Sequence, residues 1–327
     1  MAYDLVIGGA GLTGSVLAYQ ANKRNRRVLV IECNEIGGLC RGDKFNIYGP
    51  HIFHTSDRHL WEWVNSLTPF IPIHYSPLAV YHNEMYSFPP NMLTLNQLGI
   101  THIPRSTIGR NFEEYAINYM GEVLYEKFFY HYTKKQWGRE PRYLPVSIFK
   151  RIPIRMDYVT SYYTDTYVGI PEDGWDAFFR SLLHGVEVVH GDFIKEHTKY
   201  NCRKVFTGSI DELHDYKYGR LDYRSMSFKK SEPTRSMAIN YTDDRPYTRD
   251  INYKYLWGED ITIRETPTPW VDQAMRMYPT LDNDLYKRYK DITSDIVCAG
   301  RLGTYQYLNM DQCIEKVTDL LVDLIYN

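Results

Sequence analysis

The feature that most constrains this chain is Gly9-Ala10-Gly11-Leu12-Thr13-Gly14, placed directly after the apolar run Tyr3-Asp4-Leu5-Val6-Ile7 and opening a helix pattern over residues 11–23. A strand, a glycine turn and a helix N-terminus in that order let the backbone approach a pyrophosphate closely and aim N–H groups at it. The next apolar run, Arg27 to Glu32, reads as a buried parallel strand. It ends on a carboxylate about 20 residues past the glycines, where both hydroxyls of a ribose can be accepted. A ligand-free glycine turn is the plain alternative, but glycines and carboxylate together point to a dinucleotide, with Gly9, Gly11, Gly14 and Glu32 as its contacts.

Further runs at Val186 to Val189, Lys204 to Gly208 and Asp295 to Gly300 read as returns to the same sheet. The last helix, with Ile314, Val317, Leu320, Leu321 and Leu324 on one stripe and Asn309 or Asp311 to cap it, is expected to pack on that sheet. Residues 91 to 142 are mostly helical in pattern, including Phe112 to Tyr119 and Val123 to Tyr132, between the breakers Pro104 and Pro141. Segments 75–88, 144–180 and 219–270 alternate Tyr, Thr, Ile and Arg between Pro and Gly turns, as antiparallel strands do. The expected fold is α/β: a discontinuous Rossmann-type dinucleotide-binding domain (1–74, 181–218 and 288–327), a helical insert (90–143) and an antiparallel-sheet substrate domain (75–89, 144–180 and 219–287).

With 327 residues, 43% of them hydrophobic, the chain can bury a sizeable core. A net charge of -2 gives no basic field for nucleic acid or an anionic membrane. The five cysteines are odd in number and contain no C-x-x-C pair, which argues against a disulfide framework and a zinc site and for a reducing compartment. His51 and His54 have no evident third ligand, so no metal is expected. The N-terminal apolar run is broken by Asp4 and the glycines, unlike a signal peptide or a membrane span, so a cytoplasmic protein is expected. The 30 tyrosines offer flat faces with polar handles, suited to bases and sugars.

Ile36-Gly37-Gly38 resembles the glycine pair that follows the acidic residue in many flavoproteins, which favours FAD over NAD and adds Gly38 to the cofactor contacts. Tyr48-Gly49-Pro50-His51-Ile52-Phe53-His54-Thr55 and Tyr132-Thr133-Lys134-Lys135-Gln136-Trp137-Gly138 closely resemble segments of bacterial UDP-galactopyranose mutases. In the same order follow Phe149-Lys150-Arg151-Ile152-Pro153-Ile154-Arg155, Asp222-Tyr223-Arg224-Ser225, Asn240-Tyr241-Thr242-Asp243, Pro246-Tyr247-Thr248-Arg249 and Gly300-Arg301-Leu302, so that the resemblance spans essentially the whole chain.

That resemblance implies an isomerase in which N5 of reduced FAD attacks the anomeric carbon, displaces the nucleotide and holds the sugar while its ring opens and recloses. It implies His51 beside the flavin, Arg151 and Arg249 as a guanidinium pair on the diphosphate, and Trp137 and Arg151 bracketing a mobile loop. Tyr132 matches the tyrosine that stacks on uracil; Phe128, Phe129 and Trp137 would complete an aromatic pocket, although the two phenylalanines equally suit a helix core. Tyr162, Tyr278 and Tyr307 match tyrosines that reach the diphosphate or sugar, Arg224 and Asn240 lie in matched motifs of the substrate site, and Arg301 and Met310 match positions near the flavin. The implied partners are a nucleotide sugar, UDP-linked, and an external reductant such as NAD(P)H or a reductase; a homodimer is an open option.

One departure stands out. Most bacterial relatives carry Asp where this chain has Asn309, so the sugar is left open, with other nucleotide sugars beside UDP-galactose. The chain is short for the family and 266–284 aligns poorly, which bears on Tyr278. Two other readings remain: a flavin oxidoreductase of the amine-oxidase type, and a nucleotide-sugar binder without activity. The paired arginines and the Tyr-Trp segment favour a diphosphate substrate over the first, and retention of His51, Arg151 and Arg249 speaks against the second.

Overall fold

A computed structural model describes residues 2–45, 48–151, 154–280, 283–292 and 294–326. The chain forms two compact units, Met1–Pro72 with Gly169–Arg224 and Trp270–Asn327, and Ile73–Val168 with Ser225–Pro269.

The first unit is built on five parallel strands in the order Ile296–Cys298, Arg203–Phe206, Leu5–Gly8, Val28–Glu32, Glu187–His190. Starting from the first strand, the chain fills the sheet to one side and then to the other. This order creates a switch point beside Leu5–Gly8, the place where open α/β sheets bind ligands past the carboxyl ends of their strands. Leu5–Gly8 and Val28–Glu32 read as near-continuous apolar runs because both their faces are covered. Val6, Leu29, Ile31, Phe193, Phe206 and Ile296 form one core cluster. The first helix, Leu12–Asn22, is apolar nearly all round, and the last helix, Met310–Tyr326, packs on it. On the last helix Cys313, Ile314, Val317 and Leu321 are buried, each such side chain contributing about 1.5–3 kcal/mol.

Of the antiparallel strands expected over residues 144–180, one forms among the described residues, Tyr167–Pro171, which runs antiparallel to Phe70–Pro72. From 144 to 166 the described residues hold a 3-10 turn, Val146–Arg151, and no strand. Tyr167–Pro171 joins a three-stranded sheet with Phe53–Thr55 and Phe70–Pro72. Gly174–Leu182 is a helix of the first unit, because Trp175, Phe178, Phe179 and Leu182 recur at helical spacing and are all buried. Residues 270–287 also cluster with the first unit rather than the second, and within them Tyr278–Pro279 pairs antiparallel with Tyr223 and Arg224 as the edge strand of a seven-stranded sheet.

The second unit combines helices with a sheet in the order Tyr223–Ser231, Thr262–Pro269, Arg249–Asn252, Ala238–Tyr241, Leu78–Tyr81, Glu84–Ser87. The last two strands make a hairpin whose turn residues, His82 and Asn83, both have positive φ, as a tight two-residue turn requires. One pairing differs from expectation: Ala238–Tyr241 runs parallel to Leu78–Tyr81, which the long intervening chain makes feasible. The helices include Phe112–Met120, started by the Asn111 side chain on the Glu114 amide, and a π-helical turn at Glu126–Tyr130 leading into His131–Trp137.

Candidate active site

In the first unit the glycines have separable reasons. Gly9 has φ +106, and a Cβ there would sit 2.3 Å from Thr207 Oγ1; one on Gly14 would sit 2.0 Å from the Gly9 carbonyl oxygen. Internal packing therefore explains both. Gly11 is different: its backbone is extended, and an added Cβ would meet nothing nearer than Gly38 Cα, at 3.9 Å. No neighbouring protein atom demands a glycine there, so an open cradle at a helix N-terminus remains, and it fits a pyrophosphate. Gly37 bridges to Gly11 and donates to the Ala10 carbonyl at 2.9 Å, closing the second glycine turn over the first.

Glu32 is buried and already accepts two backbone N–H groups, from Ala10 on Oε2 (2.5 Å) and Asn34 on Oε1 (2.8 Å). The carboxylate thus fixes the turn as well as standing at the strand end; an ionised carboxylate has about four acceptor sites, so capacity for a ribose remains.

His51 sits at φ +44, its Nδ1 2.8 Å from the Gly49 carbonyl and its own carbonyl accepting from buried Trp175 at 3.1 Å. The Gly49 contact places the ring proton on Nδ1, so in a neutral imidazole Nε2 is an acceptor.

At the start of the last helix the structure brings together Arg301, Tyr307, Tyr278, Asn309 and Met310. Arg301 donates to the carbonyls of Met277 (3.0 Å) and Leu308 (2.5 Å) and lies over the Tyr307 ring; Tyr307 and Tyr278 have ring centroids 5.3 Å apart. Arg301 is thus a clamp between two chain segments. Arg224, also buried, pairs in register with Tyr278. Asn309 caps the helix: its carbonyl accepts from Cys313 and its N–H donates to Gln312 Oε1 at 2.9 Å. Met310 Sδ lies 3.9 Å from Cys40 Sγ. Burial pushes the Cys40 thiol up to about 12, against the opposing charge of Arg301, so it is no nucleophile near neutral pH.

The second unit gathers a different set. One rung across three strands carries Asn240, Arg249 and Glu265 side by side. Arg249 donates from Nε to Glu265 Oε2 at 2.9 Å and contacts the same oxygen through a terminal nitrogen at 2.7 Å. Tyr75, absent from the sequence-based candidates, lies close enough to feel the charge of the same guanidinium. Burial alone would lower Arg249, but Glu265 holds it well above its ordinary value, so the group stays cationic. Tyr75, Tyr132 and Tyr253 lie within electrostatic reach of the pair, and burial raises all three hydroxyls despite the opposing Arg249 charge. They remain neutral donors. Tyr162 packs on Tyr75, with centroids 5.8 Å apart, and its N–H donates to the Tyr75 carbonyl. Asn240 donates to the Leu78 carbonyl.

Phe128 and Phe129 are not placed to meet a base. Each is 1% exposed, Phe128 against Tyr86 and Phe129 against Phe149, so the helical core takes both. Trp137 is buried at the end of its helix. Arg151 closes a 3-10 turn, but its side chain and residues 152–153 lie outside the described residues.

Comparison with known proteins gives this arrangement a family. A model of the UDP-galactopyranose mutase family matches residues 127–307, and one of NAD(P)-binding Rossmann-like domains matches residues 7–67. The chain is 32% identical to a dTDP-fucopyranose mutase of Escherichia coli, over 96% of both proteins. It is 30% identical to a probable UDP-galactopyranose mutase of Klebsiella pneumoniae, over 96% of this chain and 92% of that one. The fold matches a crystal structure of reduced UDP-galactopyranose mutase with a TM-score of 0.72 at 13% identity, covering 99% of this chain and 96% of that one. A putrescine oxidase shares the fold at a TM-score of 0.61 and 12% identity, covering 100% and 99%. Since the family model takes in more than half of the chain and the relatives nearly all of it, the chain belongs to the UDP-galactopyranose mutase family: an FAD-dependent isomerase that interconverts the pyranose and furanose forms of a nucleotide sugar.

Proposed function

We propose that this enzyme interconverts UDP-galactopyranose and UDP-galactofuranose with its FAD in the reduced state. The observation that carries the reading is the Asn240–Arg249–Glu265 rung with its neutral tyrosine hydroxyls, a permanently cationic fork beside aromatic faces, which is what a base joined to a diphosphate needs. Reduced FAD, when bound, supplies a nucleophilic nitrogen for the anomeric carbon. The protein's own groups bind, orient and neutralise. Arg249, joined by Arg151, takes up charge as the diphosphate departs, a role for which preorganised cations suit an enzyme better than mobile water. Tyr132 stacks on the base, with Trp137 part of the same aromatic pocket, while Tyr162, Asn240, Arg224, Tyr278 and Tyr307 serve the diphosphate and sugar. Gly9, Gly11, Gly14, Glu32 and Gly38 hold the dinucleotide. His51, with its proton kept at Nδ1 by the Gly49 carbonyl, presents an acceptor beside the flavin. Arg301 and Met310 shape the flavin site from the start of the last helix.

A second substrate, dTDP-fucopyranose, is favoured by the 32% identity to an enzyme named for that sugar, and Asn309 leaves the sugar open. An external reductant such as NAD(P)H or a reductase would keep the flavin reduced, and a homodimer fits the reading without being required by it. The test is product analysis: protein reduced with dithionite is incubated with each nucleotide sugar beside an unreduced control. Furanose product from UDP-galactose in the reduced sample supports the first reading, furanose from dTDP-fucose alone supports the second, and no ring change with either refutes both.

A further inference from the structure

Two consecutive rungs of the second unit's sheet carry an arginine–carboxylate pair with the polarity reversed: Arg249 opposite Glu265, then Asp250 opposite Arg264. Side chains of successive residues in a strand point to opposite faces, so the two pairs occupy opposite sides of the sheet. They also differ in how they close. Arg264 meets Asp250 fork to fork, Nε on Oδ1 at 2.9 Å and a terminal nitrogen on Oδ2 at 2.8 Å. Both contacts of Arg249 instead fall on one oxygen, Oε2 of Glu265.

A closed pair serves register, since a slip of one residue would carry each charge to the wrong face. The Arg249 pair needs another explanation. Glu265 is 2% exposed, and an apolar residue of similar volume would avoid the desolvation that a buried carboxylate suffers. What the carboxylate adds is orientation: gripped along one edge, a planar guanidinium can turn its other edge to a ligand without first losing side-chain freedom.

We infer that Glu265 is a positioning residue for Arg249, holding the guanidinium in a single orientation before the nucleotide arrives. Its effect on affinity rests on the reading of Arg249 as a diphosphate group; the orientation itself does not. Two features support it: the direct cross-strand register and the one-sided grip on Oε2.

Arginine side-chain NMR of the flavin-loaded protein, without nucleotide, tests the orientation. In the wild type the Arg249 Nε–H, identified by its loss in R249K, is expected as a resolved and slowly exchanging signal that moves to the position of exposed arginines in E265Q. An unchanged signal in E265Q overturns the inference. Titration with UDP and with dTDP reads the consequence: E265Q is expected to bind about tenfold more weakly, the scale of freezing one long side chain, with E265D between it and the wild type. R249K is expected to bind as weakly as R249A, because an ammonium captured by Glu265 has no second edge to offer. Wild-type or tighter binding by E265Q overturns the inference, and if E265Q does not fold, wild-type affinity in R249K does so instead. A wild-type protein that shows the NMR difference yet binds neither nucleotide leaves the positioning role standing and removes the nucleotide reading of Arg249.

Discussion

The Gly9 carbonyl oxygen lies 2.0 Å from the point where a Cβ on Gly14 would stand, whereas the corresponding point on Gly11 is open. Two glycines of one motif therefore answer to different forces, and substitution separates them. Gly14→Ala forces the helix away from the turn and is expected to destabilise the flavin-free protein by about 1–3 kcal/mol or more, the range for overpacking. Gly11→Val keeps a backbone that valine tolerates, so the flavin-free melting temperature is expected to stay near that of the wild type while flavin absorbance is lost after purification. Full flavin loading of Gly11→Val would remove that residue from the pyrophosphate cradle.

Arg249→Ala removes the cation that we place on the diphosphate. Turnover with reduced flavin is expected to fall on the order of 10²–10³-fold, as when a preorganised charge is lost from an active site. Glu265 is then left buried and unpaired, which adds a stability loss of about 3–5 kcal/mol. Thermal melts and the flavin spectrum, recorded on the same sample, separate the two effects. Turnover near the wild-type level in a folded, flavinated variant would exclude Arg249 from the site.

Lys135 ties down the turn between the strands that carry Asn240 and Arg249, donating from Nζ to the carbonyls of Tyr241, Asp243 and Tyr247 at 2.8, 2.9 and 2.9 Å. Lys135→Met keeps the stem and strips these carbonyls of their donor, with an expected loss of about 2–4 kcal/mol. Denaturant melts measure it. A change within experimental error would mean that the turn is held by its strands alone.

Much of the first unit was legible because its signals are local. A glycine turn between a strand and a helix can be read within a few residues, and so can the stripe of the last helix through Ile314, Val317 and Leu321. The second unit was less so, for identifiable reasons. Glu265 reaches Arg249 only through strand register, and Tyr75 through a fold that returns after more than half the chain; neither spacing can be read from sequence. Phe128 and Phe129 lie in a π-helical turn, whose extra residue rotates the side chains that follow, so a helical wheel could not decide whether they or Tyr132 faced Arg249. The Tyr and Thr that precede them carry residues 174–180 into an antiparallel segment, although Trp175, Phe178, Phe179 and Leu182 recur at helical spacing. Arg301 matched a motif near the flavin, but its two carbonyl contacts could not have been foreseen.

Asn309 caps the last helix with its backbone inside a capping box. Asn309→Asp places a carboxylate at the positive end of that helix and is expected to add about 0.3–1 kcal/mol of stability, diminishing with salt. If the side chain also helps choose the sugar, the ratio of turnover with UDP-galactose to turnover with dTDP-fucose should rise in the same variant. A stabilised protein with an unchanged ratio would confine Asn309 to capping.

The most direct measurement is the product of the purified, dithionite-reduced protein given UDP-galactofuranose or UDP-galactopyranose, and in parallel dTDP-fucopyranose, with an oxidised sample as control. Ring interconversion of at least one nucleotide sugar, present in the reduced sample and absent from the oxidised one, is the result expected of a mutase that uses reduced FAD on an activated sugar. Bound, reducible flavin with no ring interconversion of any of the three would contradict it.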